Sequence, residues 1–175
     1  MGSTLTVDNI VGATTAANVK LPAGCILQTQ SFSRARTARQ TINSTSFAIV
    51  NDGVGNFELA ITPKFSTSKI MGSFNLSGVA TTTNATSIGF KLYRNGSEIQ
   101  LLDSHFAYNY DEHGDRHHFA PTFIDSPNTT SATTYSVYAA VQGGSQSAYI
   151  FDTHIADGVT HNFILQEVSQ WVLYS

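Results

Sequence analysis

IGFKLYRNGSEI, residues 88–99, is the stretch whose reading decides the fold. Ile88, Phe90 and Leu92 point one way in an extended chain, and Lys91 and Tyr93 the other, with Gly89 beside them. That period of two is the mark of a strand with one buried face. Asn95-Gly96 then interrupts the run before Glu98-Ile99. Asn-Gly tolerates the positive φ that both central positions of a type I′ turn require, so the stretch predicts a tight β-hairpin.

The same alternation recurs along the chain. Phe57, Leu59 and Ile61 alternate with Glu58, Ala60 and Thr62, and Pro63 stops the run. Ile70, Phe74 and Leu76 fall on one face, with Ser73, Asn75 and Ser77 on the other. Tyr135, Val137, Ala139 and Val141 form a stripe opposite Ser136, Tyr138 and Gln142, and Phe163, Leu165 and Glu167 alternate with Ile164, Gln166 and Val168. Asn51-Asp52-Gly53, Gly143-Gly144-Ser145 and Asp157-Gly158 supply turns between runs. No long stretch repeats apolar residues at helical spacing. The pattern predicts an all-β chain, an antiparallel β-sandwich or barrel.

Composition narrows the function classes. At 175 residues with 41% hydrophobic residues, the chain fits one folded domain with a sizeable core. A net charge of −3 predicts no nucleic-acid partner, since that needs a basic surface. No apolar run of membrane-spanning length occurs, so no membrane insertion is expected. The N-terminus has no basic and apolar leader pattern; Met1-Gly2-Ser3-Thr4-Leu5-Thr6 fits a loose myristoylation pattern, but no polybasic segment follows and lipidation is not expected. The single cysteine, Cys25, sits in an apolar run and reads as a small core residue. Charged residues are only 12%, so the surface must be built mostly from Ser, Thr, Asn, Gln and Gly, which suits extracellular or virion surfaces and symmetric assemblies.

Residues 1–23 are broken by Gly12, Ala13 and Pro22 and read as an extended N-terminal arm or collar, with residues 24–175 as the β-sandwich body. Leu5, Val7, Ile10 and Val11 cannot bury themselves within so short an arm, so they are interface candidates for symmetry mates or another protein. In SRARTAR, Arg34 and Arg36 share a strand face and are further interface candidates, set against a role as solvated edge-strand charge that blocks aggregation.

TLTVDNI at 4–10, LPAGCILQ at 21–28, ITPKFSTSKIMGSFNLSG at 61–78, KLYRNGSEI at 91–99 and FIDSPNTTSATTYSVYA at 123–139 occur in an order that resembles the C-terminal knob modules of bacteriophage tail-fibre and related virion proteins, common in phages of aquatic and marine bacteria. DSPNTTSATTYSVY is the most specific element. The resemblance implies a trimeric, jelly-roll-like β-sandwich located in the virion. It also implies a function as a fibre-tip knob recognising a host-surface glycan or protein, with the arm docking on a tail adaptor or capsid protein. A capsid decoration or head-fibre protein that docks on the shell without a ligand is the alternative, and a glycan depolymerase the third. The DSPNTTSATTY stretch itself reads as structural: Pro127 ends a strand, and Asp125, Ser126 and Asn128 are expected to bond their own backbone in turns.

DEHGDRHH, residues 111–118, is the densest titratable run. Two carboxylates facing each other across a sugar are what glycoside hydrolysis needs. Asp111, Glu112 and Asp115 lie too close on one loop-like segment for that, so no enzyme is expected. His113 and His117 are four apart, which makes a metal pair only on a helix, and Gly114 opposes one; adjacent His117 and His118 diverge in a strand. One histidine per chain about a threefold axis is a separate route, open equally to His105, His154 or His161. No metal and no cofactor are expected. The run reads as a solvated loop at the exposed end of the knob. Tyr108, Tyr110, Asp111, Glu112, His113, Asp115, Arg116, His117, His118 and Phe119 are its candidate receptor-binding residues, the aromatics by stacking on a sugar or protein epitope. Phe106, Tyr108 and Tyr110 share one strand face, which equally suits burial in the core.

Overall fold

The computed structural model describes residues 23–35, 38–81, 86–109, 116–143, 147–152 and 160–170. Among these the chain forms strands and connecting turns with no helix, and every strand pair is antiparallel. In chain order the strands are β1 (Ile26–Ala35), β2 (Gln40–Ile42), β3 (Ala48–Ile49), β4 (Glu58–Ile61), β5 (Lys69–Phe74), β6 (Leu76–Thr81), β7 (Thr86–Arg94), β8 (Ser97–Asn109), β9 (Arg116–Phe119), β10 (Thr122–Asp125), β11 (Thr133–Gln142), β12 (Ala148–Ile150) and β13 (Thr160–Val168).

Two of the three sheets run in the orders β1-β13-β5-β10 and β2-β12-β6-β9, and they join end to end. Asn75 alone separates β5 from β6, and Ala120-Pro121 separates β9 from β10. The third sheet runs β3-β11-β7-β8, with β4 also paired to β11. Counted as long strands, the chain therefore pairs its first with its last, and so inward through β3/β4 with β11 and β5/β6 with β9/β10 to the β7–β8 hairpin. Nested pairing of this kind is jelly-roll winding.

The bend between the end-to-end sheets has a local cause. Asn75 interrupts the alternation and turns its amide onto β13: its Oδ1 accepts from the Asn162 N–H (2.6 Å) and its own N–H donates to the Asn162 carbonyl (3.1 Å). Beyond the bend, all six residues of β6 are buried, Ser77 included. The expected outward face for Ser77 is thus wrong. The segment at Phe151-Asp152 folds over this strand, with the Phe151 N–H on the Ser77 carbonyl (3.1 Å) and the Asp152 N–H on that of Gly78 (3.2 Å).

The predicted hairpin forms as read. Arg94 pairs with Ser97, and Asn95 and Gly96 take φ of 49° and 80°. The apolar stripes meet between the layers in one core, where Phe74 joins the rings around Phe57 to Phe119 (6.0 Å) and Phe90. Phe57 touches Phe32 (5.3 Å), Phe74 (5.7 Å) and Phe163 (5.5 Å), while Phe90 stacks on Phe119 at 4.3 Å. Each fully buried phenylalanine contributes about 2–3 kcal/mol. Cys25 is half-buried rather than enclosed. Its carbonyl accepts the Ser169 N–H (2.9 Å) and so closes the β1–β13 end.

Candidate functional site

The candidate surface is built on the end of β8 and on β9. The structure treats Phe106 and Tyr108 differently, although alternation puts them on one face. Ala107 takes φ 53°, its carbonyl accepts the Thr81 hydroxyl (3.2 Å), and the β7–β8 register shifts between Ile88/Phe106 and Thr86/Asn109. Phe106 therefore packs on the core rings of Phe90 (6.0 Å) and Phe119 (4.8 Å). Tyr108 turns out and is 52% exposed. His117 lays its ring across the edge of Phe106 (5.8 Å, 76°), and His117 and His118 both stand exposed. Tyr108, His117 and His118 thus stand exposed on β8 and β9, and His117 rests on a ring that packs against the core.

Other candidate residues are used elsewhere. Phe119 is buried in the core against Phe90 and is not a contact residue, because its place opposite Leu76 turns it inward. Arg116 is not a free loop cation. Its Nε donates to Asp152 Oδ2 (3.0 Å), and Arg39 lies 3.8 Å from the other oxygen while covering the Tyr149 ring. Tyr110, Asp111, Glu112, His113 and Asp115 lie outside the described residues, as do Leu5, Val7, Ile10, Val11, Arg36 and His154. Arg34 is described, and it points into its own chain: its Nε meets Asp52 Oδ2 (3.1 Å), Nη2 donates to the Asn56 carbonyl (3.1 Å), and the guanidinium covers Phe32.

Buried carboxylates bind the loops to the strands, and alternation alone did not reveal them. Asp52 Oδ1 accepts the Val54 and Gly55 N–H groups (both 2.9 Å), and Oδ2 sits 3.0 Å from His161 Nε2. Burial pushes this carboxyl up, but the Gly55 and Val54 N–H groups, His161 and Arg34 together outweigh it and hold Asp52 below the usual aspartate range. His161 is itself fully buried and cannot serve as an axial surface ligand. Glu167, also fully buried, accepts the Lys64 and Phe65 N–H groups (2.8 and 3.2 Å) and the Gln28 amide (2.7 Å).

Asp125 does not bond its own turn. It accepts Arg94 Nη1 and the Tyr135 hydroxyl, both at 2.7 Å, and so ties the DSP turn to β7 and β11. Burial first, and then that bond to Asp125, push the Tyr135 phenol well above its ordinary range. Among the described residues no group of three or more His, Cys, Asp or Glu side chains is placed to hold a metal ion.

No family model and no curated protein matches the chain. Solved structures similar to it include a particle of infectious bursal disease virus (TM-score 0.46, 10% identity, 81% of this chain and 35% of the other). A Gx-strain structure of the same virus (0.43, 10%, 82% and 37%) and the latent dimer of PorU from Porphyromonas gingivalis (0.29, 8%, 83% and 11%) are also similar. The chain spans about a third of the length of the matched viral chains.

Proposed function

We propose that the chain is a structural protein of a bacteriophage virion. In this reading it is a homotrimeric knob at the tip of a fibre or appendage, and it recognises a host-surface glycan or protein. The observation that carries the reading is the exposure of Tyr108, His117 and His118 on β8 and β9, with His117 set against a Phe106 ring that packs on the core. Amphipathic rings and hydrogen-bonding imidazoles on a rigid scaffold suit stacking on a sugar or an epitope. The family resemblance of the flanking blocks supports the same reading, and residues 1–23 serve as the arm for trimerisation or for docking on other virion proteins.

Changing Tyr108, His117 and His118 together to Ala should reduce competition by the purified knob for phage adsorption about tenfold, the size of a small contact cluster. Unchanged competition by the folded variant would refute receptor recognition at this surface. A second reading, a decoration or head-fibre protein docked on the shell, is favoured by a different observation. Met71, Ile124 and Ile164 stand exposed on one sheet face. Copy number per particle separates the two: hundreds mean decoration, and a few tens or fewer mean a fibre.

A further inference from the structure

Met71 on β5, Ile124 on β10 and Ile164 on β13 are neighbours on the outer face of the first sheet. Register sets them in two rows: Gln166, Met71 and Ile124 in one, and Ile164, Ser73 and Thr122 in the next. With Gln100 they line a shallow groove of about 530 Å³ with no charged side chain in its wall. A sheet face bathed only in water alternates to polar residues, yet Ile124 here is 61% exposed. Contiguous apolar surface of this kind marks a place where something docks.

We propose that this groove seats the chain's own N-terminal segment, residues 5–11. Two observations select that occupant. The first is where the segment leading into β1 is anchored. Gly24 donates its N–H to the Ser169 carbonyl (3.0 Å), which fixes it at the β1–β13 end of the same sheet. Val168 pairs with Lys69 at that end, and the Gln166–Met71 row lies two residues further in, about 7 Å away. Residues 12–22, between Val11 and Ala23, can span up to roughly 36 Å, which is long enough for residues 5–11 to reach the groove of their own body or that of an adjoining copy.

The second observation is chemical match. Leu5, Val7, Ile10 and Val11 supply apolar groups to the apolar groove. Asp8 is the only charge in the segment, and the exposed Lys69 stands beside the groove to meet it. Ser73, Thr122, Gln100 and Gln166 offer hydroxyls and amides to the segment's backbone.

The seat deepens the assembly part of the proposed function by naming its contact surface. The test is a full-length chain with a photoreactive benzoylphenylalanine in place of Val7, irradiated and mapped by peptide mass. Cross-links should fall on the peptides carrying Met71 and Ile124. Their yield should drop about tenfold with Ile124→Asp, as expected when one buried apolar contact is lost. Ile124 is exposed, so that variant should keep the parent's unfolding temperature. Mixing isotope-labelled and unlabelled chains tells the chain's own groove from a second copy's, and either result supports the seat.

Cross-links confined to other surfaces, or a yield indifferent to Ile124→Asp, would overturn it. So would groove protection from deuterium exchange that persists when Leu5, Val7 and Ile10 are all Ser, because another copy's body or another protein would then be the cover. Light scattering reports the oligomer independently, so the trimer and the seat can fail separately.

Discussion

Asp52 Oδ2 lies 3.0 Å from His161 Nε2, across 109 positions of sequence and with both side chains fully buried. This pair, with Arg34 on the same oxygen, fastens the 51–55 turn to β1 and β13. Removing the charge with Asp52→Asn leaves Arg34 and His161 without their carboxylate and should cost about 3–5 kcal/mol at neutral pH. The Asp52 carboxyl titrates below its unfolded value. Its stabilisation is therefore complete above about pH 4 and is lost as pH falls through the lower folded value. Urea midpoints of the two proteins should converge on acidification, and a gap that stays constant down to about pH 3 would count against this account.

Tyr135 gives the opposite limb. Its folded pKa is raised, so the stability it lends is present below about pH 10 and is lost as pH climbs past that value. Tyr135 should ionise only as the chain unfolds, visible as a lag in the phenolate absorbance titration. Tyr135→Phe should abolish the lag and cost about 1–3 kcal/mol, since Asp125 keeps Arg94 but loses a donor.

Gly72 faces inward on β5 beneath the ring of Phe123, and a Cβ there would fall inside that ring. Gly72→Ala should cost about 1–3 kcal/mol by overpacking. Adding Phe123→Leu should recover part of the loss, because the two changes share one contact. Simple additivity in chemical denaturation would show that the ring is not the obstacle.

Gly96 isolates the backbone term. It holds φ 80° with open space where a Cβ would go, so Gly96→Ala meets no neighbour and should cost about 1 kcal/mol from conformation alone. Asn95 is more than a turn former. Its Oδ1 accepts the Thr134 N–H (2.8 Å) while its own N–H donates to the Thr134 carbonyl (2.9 Å). Asn95→Gly should therefore keep the turn yet lose about 1 kcal/mol of attachment to β11, measured by thermal unfolding.

Local signals were legible. The 88–99 hairpin, the stops at Pro63 and Pro127 and most core stripes follow from alternation and turn chemistry, which depend on residues a few positions apart. The candidate site was legible only in part. Tyr108, His117 and His118 are exposed as expected, but Phe119 is core and Arg116 is spent on Asp152. Nothing near Ala107 announces the positive φ that parts Phe106 from Tyr108; it arises where the Thr81 hydroxyl from another strand takes the Ala107 carbonyl.

By itself, then, the sequence determined that the chain is antiparallel β, where its tight hairpin turns and most of the apolar stripes that face inward. Tertiary structure alone decided the fate of the polar ones. Glu167 sits at an inward position of an alternating run, and only donors from residues 28, 64 and 65 make it tolerable there. A charged group can be buried only when its partners are already in place. Those partners are chosen by strand nesting, and no window of sequence around the residue contains them.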